Sequence, residues 1–316
     1  MRSPIPWETD RVPAHPAAVL GTRPRVSVGL VPALLVCLAA PAFFVVRIPW
    51  LGWVLLAAGM LAAWLVRSRT DAEAEAARAS VEVAPGAPDT RTPSLVRDLS
   101  LITLGLLIVS VIDLKAELDN VAFLRFGLAL GGAVAVPYVV SRFVYRDHAI
   151  RFPWRGGGRW TKFQWTWLFA VLALGWLILP FYFITSGVYT NWPVVDTPEM
   201  IARLFVGVGA VGIWDELFFI CIVFTLLRRH FPDWQANLLQ ATVFVSFLWE
   251  LGYQAWGPLL TIPFALVQAY IFKRTRSLTY VVIVHLLFDA VVFLVLVHAH
   301  NPGLLDGLFL VGSPAS

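Results

Sequence analysis

Charge is what this sequence has least of. Only 14% of its 316 residues are Asp, Glu, Lys or Arg, against about 25% in a soluble domain, while 59% are hydrophobic. That shortage excludes a large water-soluble helical protein, whose helices would each need a polar face. Cysteine is nearly absent. Cys37 and Cys221 are the only two, and they fall in different apolar runs, so no disulfide framework is indicated. A cleaved secretory leader is not indicated either, because the small residues Ala39–Ala42 sit inside a run that continues past them. The net charge of +4 needs no nucleic acid to explain it, since its basic residues lie between apolar runs, where they can face anionic lipid.

Long apolar runs are what the sequence has instead. A bilayer core about 30 Å thick takes roughly 20 helical residues to cross. Such runs occupy Val26–Val46, Trp50–Val66, Leu99–Ile112, Val121–Val144, Trp165–Gly187, Met200–Leu227, Trp234–Leu251, Trp256–Phe272 and Leu278–Val297. The third is short and is expected to borrow Asp113–Ala116 or to cross with little tilt. The reading is an all-α polytopic transmembrane bundle of about nine spans. Basic residues alternate with it. They gather before the first run, after the second, and in the fourth, sixth and eighth connections, while Gly187–Glu199 has none. Basic loops stay in the cytoplasm, so the amino terminus is expected inside and the carboxyl tail outside. Trp50, Trp165, Trp234 and Trp256 mark run ends, as interfacial belts do. A bacterial-type plasma membrane is the expected location.

The organisation follows from these runs. Residues 1–25 read as a Pro- and Arg-rich cytoplasmic tail and 26–66 as a hairpin of two spans. Residues 67–98 read as a cytoplasmic linker with one or two helical turns, 99–298 as the membrane core and 299–316 as a short external tail. Phe152–Trp167 reads as a loop anchored among headgroups. Gly207, Gly209 and Gly212 spell G-x-G-x-x-G, but inside a span, so no dinucleotide site follows. Gly127 and Gly131 make a G-x-x-x-G, read as a close-packing signal.

Ionisable residues deep in a span are costly and point to function. Arg47, Arg125 and Arg203 lie near span ends and can snorkel, and His148, His230, His298 and His300 are most simply solvated. Asp215 and Glu216 in the sixth run, Glu250 in the seventh, and His285 and Asp289 in the ninth have no such excuse. At a rise of about 1.5 Å per residue, all five come to comparable depths, and His285 and Asp289 share a helix face at i, i+4. Such a set could bind a metal and activate water, relay protons, or pair to fix helix register. The residues alone leave these three open.

The stretch Met200–Val297 carries further pattern. Asp215-Glu216-Leu-Phe-Phe-Ile220, the turn Leu227-Arg228-Arg229 before Phe231-Pro232, Gln254 and Trp256, the basic turn Lys273-Arg274-Thr275-Arg276, and His285 with Asp289 occur in that order. Together they resemble the CPBP family of intramembrane proteases, which includes the type II CAAX prenyl endopeptidases and the bacteriocin-immunity (Abi) proteins. Its pattern is E-E-x-x-x-R, then F-x-x-x-H, then H-x-x-x-N/D on successive helices. The resemblance implies a membrane-embedded metallo- or glutamate-type peptidase. Asp215 or Glu216 would activate water, and Glu250, His285 and Asp289 would hold a divalent metal such as zinc or the substrate carbonyl. Its partners would be membrane lipid and a membrane-embedded or lipidated peptide.

Three departures qualify the resemblance. Asp215 stands for the first glutamate and Ile220 for the arginine, and the second-motif histidine falls on Leu248 or Leu251. A pseudoprotease that binds a membrane peptide without cutting it is therefore the alternative. A transporter would show inverted repeats, and the two halves show none.

Overall fold

The computed structural model describes residues 27–79, 93–154 and 158–314. Among them, nine helical rods follow the nine apolar runs and no strand occurs. They are α1 (Leu30–Phe44), α2 (Pro49–Ala79), α3 (Leu95–Val109), α4 (Asn120–Val139, closed by π-helical turns over Val140–Tyr145), α5 (Lys162–Thr185), α6 (Pro198–Asp215, continuing through Glu216–Phe224 to Leu227), α7 (Asp233–Leu251), α8 (Pro258–Thr275) and α9 (Leu278–His300). Five of these rods are long and apolar enough to cross a membrane by length and composition: α2, α4, α5, α6 and α9.

Local chemistry sets the helix ends. Asp119 caps α4, its carboxylate accepting from the amides of Val121 and Ala122 at 2.8 and 3.0 Å. Those amides hold the Asp119 pKa below the usual carboxylate value. Thr161 and Gln164 form a reciprocal capping box on α5. Thr197 caps α6 ahead of Pro198, and Ser277 caps α9. Gly252 ends α7 at a φ of +130°, where an added Cβ would also meet the Trp192 ring at 2.8 Å.

α1 and α2 form a hairpin, and α1 leans on α7. α3 pairs with α4, α7 with α8, and α9 packs between α5 and α6. The core is continuous and apolar, and so is much of the outside. Trp53, Leu124, Leu128, Phe169, Phe205 and Val206 are each at least half exposed, which suits lipid and not water.

Several expectations change in detail. α2 runs on to Ala79, so the first part of the expected linker continues the second rod. The tail at 1–25 and the proline-rich stretch after Ala79 lie outside the described residues. The short third run gains its length at its start, Leu95–Asp98, and not by borrowing Asp113–Ala116. That start buries Asp98, which accepts from Arg229 Nη1 at 2.8 Å and pairs with His230 Nε2 at 2.6 Å. His230 is therefore a buried acid's partner and not a solvated histidine. His298 is buried too, its Nε2 on the carbonyl of Val311 at 3.0 Å. The tail folds back, with Phe309 buried and the Trp176 indole donating to Leu308. Arg203 does not snorkel freely. It bonds Glu199, the carbonyl of Leu118 and Asn120 Oδ1, tying the start of α6 to that of α4.

The G-x-x-x-G of α4 does not mark a tight helix contact. A Cβ built at Gly127 or Gly131 would meet nothing within 4 Å, because both glycines line a cavity.

Candidate functional site

The acid pair sits where α6 changes its winding. The rod is α-helical to Asp215 and π-helical over Glu216–Phe224, a widening that is frequent at functional sites. The two neighbouring carboxylates part there. Asp215 lines a cavity of about 430 Å³. Glu216, 1% exposed, turns away from it into the packing against α8 and α9.

His285 connects the two acids. Its Nδ1 bonds Glu216 Oε1 at 2.7 Å, while its Nε2 faces Asp215 Oδ2 at 3.6 Å and Asp289 Oδ1 at 3.8 Å. The hydrogen bond at one ring nitrogen sets the role of the other, so Nε2 is the nitrogen left for the cavity. Phe264 packs edge-on against the imidazole at 5.1 Å and stacks on Phe288 at 4.8 Å, which fixes the ring plane. Gln268, from α8, donates its Nε2–H to the same Glu216 oxygen at 2.7 Å and also reaches the carbonyl of Val281 at 3.4 Å.

Two oxygens are left over. Asp215 Oδ1 and Glu216 Oε2 are buried without a hydrogen-bond partner. An orphaned buried acceptor costs about 1–3 kcal/mol, more when charged, a cost tolerated where a substrate or water completes the set.

Of the five residues expected at the site, the fold brings four together: Asp215, Glu216, His285 and Asp289. Glu250 is not among them. It lines a second cavity with Arg47 and Asp113, because it leaves α7 on a different face from Leu248 and Leu251, which line the main cavity. Both candidate positions for the second-motif histidine, Leu248 and Leu251, do lie on the wall of the main cavity. Apolar side chains stand there, while Ile220 is packed into the core at 1% exposure.

A structural or catalytic zinc needs three or four protein donors at about 2.0–2.3 Å. Among the described residues no group of three or more His, Cys, Asp or Glu is arranged to hold a metal ion. The expected ligand set loses Glu250 to the other cavity. The residues present do not fit the zinc expectation.

The structure adds further residues to the site. Gln268 is an uncharged amide inside an apolar run, and nothing local marks it as the partner of Glu216. Gly212, part of a glycine pattern that fits no dinucleotide site, has no room for a Cβ, which would collide with Asp289 Oδ2. It is glycine because the Asp289 carboxylate lies against its backbone. Tyr253 and Thr261 put hydroxyl-bearing side chains on the same wall, and the Tyr253 ring is held edge-on by Phe183 and Trp192.

Residues 197–291 match the family model for Type II CAAX prenyl endopeptidase Rce1-like. The matched stretch begins at the cap of α6 and ends two residues beyond Asp289, so it holds all four clustered residues and Gln268. No curated protein and no solved structure matches the chain. With five rods of spanning length and this match, the chain is an integral membrane protein.

Proposed function

We propose, for a chain that belongs to the CPBP family through residues 197–291, an intramembrane endopeptidase that hydrolyses a peptide bond of a membrane-embedded or lipidated substrate with a carboxylate-activated water. One observation carries the reading: Asp215 lines a largely apolar cavity together with His285 and Asp289, its Oδ2 3.6 Å from His285 Nε2 and its Oδ1 without a hydrogen-bond partner. Water held in the cavity against Asp215 and His285 loses its proton to Asp215 as its oxygen attacks the scissile carbonyl. The C–N bond then breaks and the proton passes to the leaving amine. Glu216 is a positioning residue that fixes His285, and Gln268 fixes Glu216. Asp289 holds the far side of the imidazole. No step needs a metal, and excess chelator is expected to leave cleavage unchanged.

The apolar wall, with open space at Gly127 and Gly131, suits a substrate that arrives from the bilayer. In this reading all nine rods are membrane-inserted, the amino terminus is cytoplasmic and the membrane is a bacterial-type plasma membrane.

The test is a survey of new amino termini in membranes overproducing the parent chain or Asp215→Asn. Removing a general base costs about 10²–10⁴-fold in rate, so juxtamembrane termini present with the parent are expected to vanish with the variant. Identical profiles at equal expression would reject hydrolysis. They would favour the second reading, a pseudoprotease that binds a membrane peptide uncut. The observation on its side is Leu248 and Leu251, which put two side chains incapable of proton transfer where the family carries a histidine.

A further inference from the structure

The cavity that received Glu250 is separate from the site just described. It measures about 340 Å³ and lies at the end of the bundle where α1, α3 and α7 stop. Three elements each bring one charge to it. Arg47 sits in the α1–α2 turn at a φ of +59°, a left-handed conformation that fixes where its side chain leaves the backbone. Asp113 follows α3, with Oδ1 accepting from the amide of Lys115 at 3.0 Å. Glu250 comes from the last turn of α7.

The charges are opposite in sign and close enough for Arg47 and Asp113 to act on Glu250 electrostatically. All three line the same cavity, and no ion pair of 4.0 Å or less joins Arg47 to either carboxylate. Phe43 and Phe44 floor the cavity, both nearly buried. Around its mouth the surface is apolar: Val46, Trp50 and Val111 are 57%, 63% and 73% exposed. A ligand suited to this place has an anionic and a cationic group a few bonds apart and an apolar tail that continues along the surface.

We propose that this cavity binds a zwitterionic headgroup of the phosphoethanolamine class, with its phosphate on Arg47 and its primary ammonium between Asp113 and Glu250. Guanidinium groups bind phosphate through paired N–H donors. A primary ammonium has three N–H donors to share between two carboxylates, and a trimethylammonium has none. The site therefore selects ethanolamine over choline. Val46, Trp50 and Val111 would carry the acyl chains, as aromatic and apolar residues do at a membrane boundary. This inference does not depend on peptidase activity, and it gives Glu250 a role at a distance from Asp215.

The test uses the full chain purified in a neutral detergent. Its thermal midpoint is followed while phosphatidylethanolamine, phosphatidylcholine of the same acyl chains, or free phosphoethanolamine is added. A ligand that binds the folded state raises the midpoint with concentration. Phosphatidylethanolamine is expected to raise it saturably and phosphatidylcholine to have no comparable effect. In Arg47→Gln and Glu250→Gln the concentration for half the rise should increase by about tenfold or more, the loss of one charge-assisted contact. Each variant is compared with its own starting midpoint, and the exposed Asp113→Asn serves where either of the others folds poorly. A response to free phosphoethanolamine alone would support the chemistry and assign a soluble source. Equal shifts with both lipids, variants that respond like the parent, or no shift with any compound would overturn the proposal.

Discussion

At the residue scale the site is a chain of supports. Gln268 holds Glu216, Glu216 holds His285, and His285 faces Asp215 and Asp289. Gln268→Leu removes one of two donors to a buried carboxylate oxygen. It is expected to destabilise the protein by about 1–3 kcal/mol and to lower cleavage with Asp215 still in place. Thermal unfolding in detergent, beside a cleavage assay, separates the two effects. Gly212→Ala drives a methyl into the Asp289 carboxylate. An overpacked core site loses about 1–3 kcal/mol, and here the loss should come with inactivity, whereas the neighbouring Gly209→Ala, whose Cβ would meet only Leu286 at 3.9 Å, should change neither. His285 and Asp289 could be picked from the sequence because their spacing of four lies within one helix. Gln268 and Gly212 could not, because their importance comes from approaches between helices that no local pattern encodes.

At the element scale two features matter most, the π-helical stretch of α6 and the glycines of α4. The stretch Glu216–Phe224 is apolar throughout after its first residue, so hydropathy alone reads it as ordinary α-helix. Only the structure shows that the turn widens at the point where two adjacent acids must face different surroundings. The G-x-x-x-G of α4 illustrates the reverse failure. The motif is visible, but small residues permit either a close helix or an open space, and the sequence does not say which. Gly131→Leu distinguishes these. It should fold with an unchanged thermal midpoint, since nothing lies within 4 Å of its Cβ, and should reduce cleavage by filling the cavity. A large drop in midpoint would instead mean that another helix packs there.

For the whole molecule the apolar runs were legible almost rod for rod, because a bilayer demands about 20 apolar residues per crossing whatever the tertiary contacts. The ends were less so. α2 continues to Ala79 and α3 starts early at Leu95, since a helix does not have to stop where hydrophobicity does. Orientation can be checked directly. Single cysteines placed at Asp196 and at Arg276 should react with a membrane-impermeant thiol reagent from opposite sides of sealed vesicles, Asp196 from the outside. Labelling of both from one side would contradict the alternation of basic loops.

The buried Asp98 has a consequence for how the chain is made. Its partner Arg229 lies 131 residues further along, and His230 follows it. A ribosome releases Asp98 long before either base exists. A carboxylate buried in protein without its cationic partners is costly, so the start of α3 is expected to pack into place only after α6 and its basic turn have been synthesised. Final seating of α3 is thereby coupled to completion of α6. Nascent chains arrested before Arg229 should leave Asp98 open to an aqueous probe that chains arrested well after it exclude.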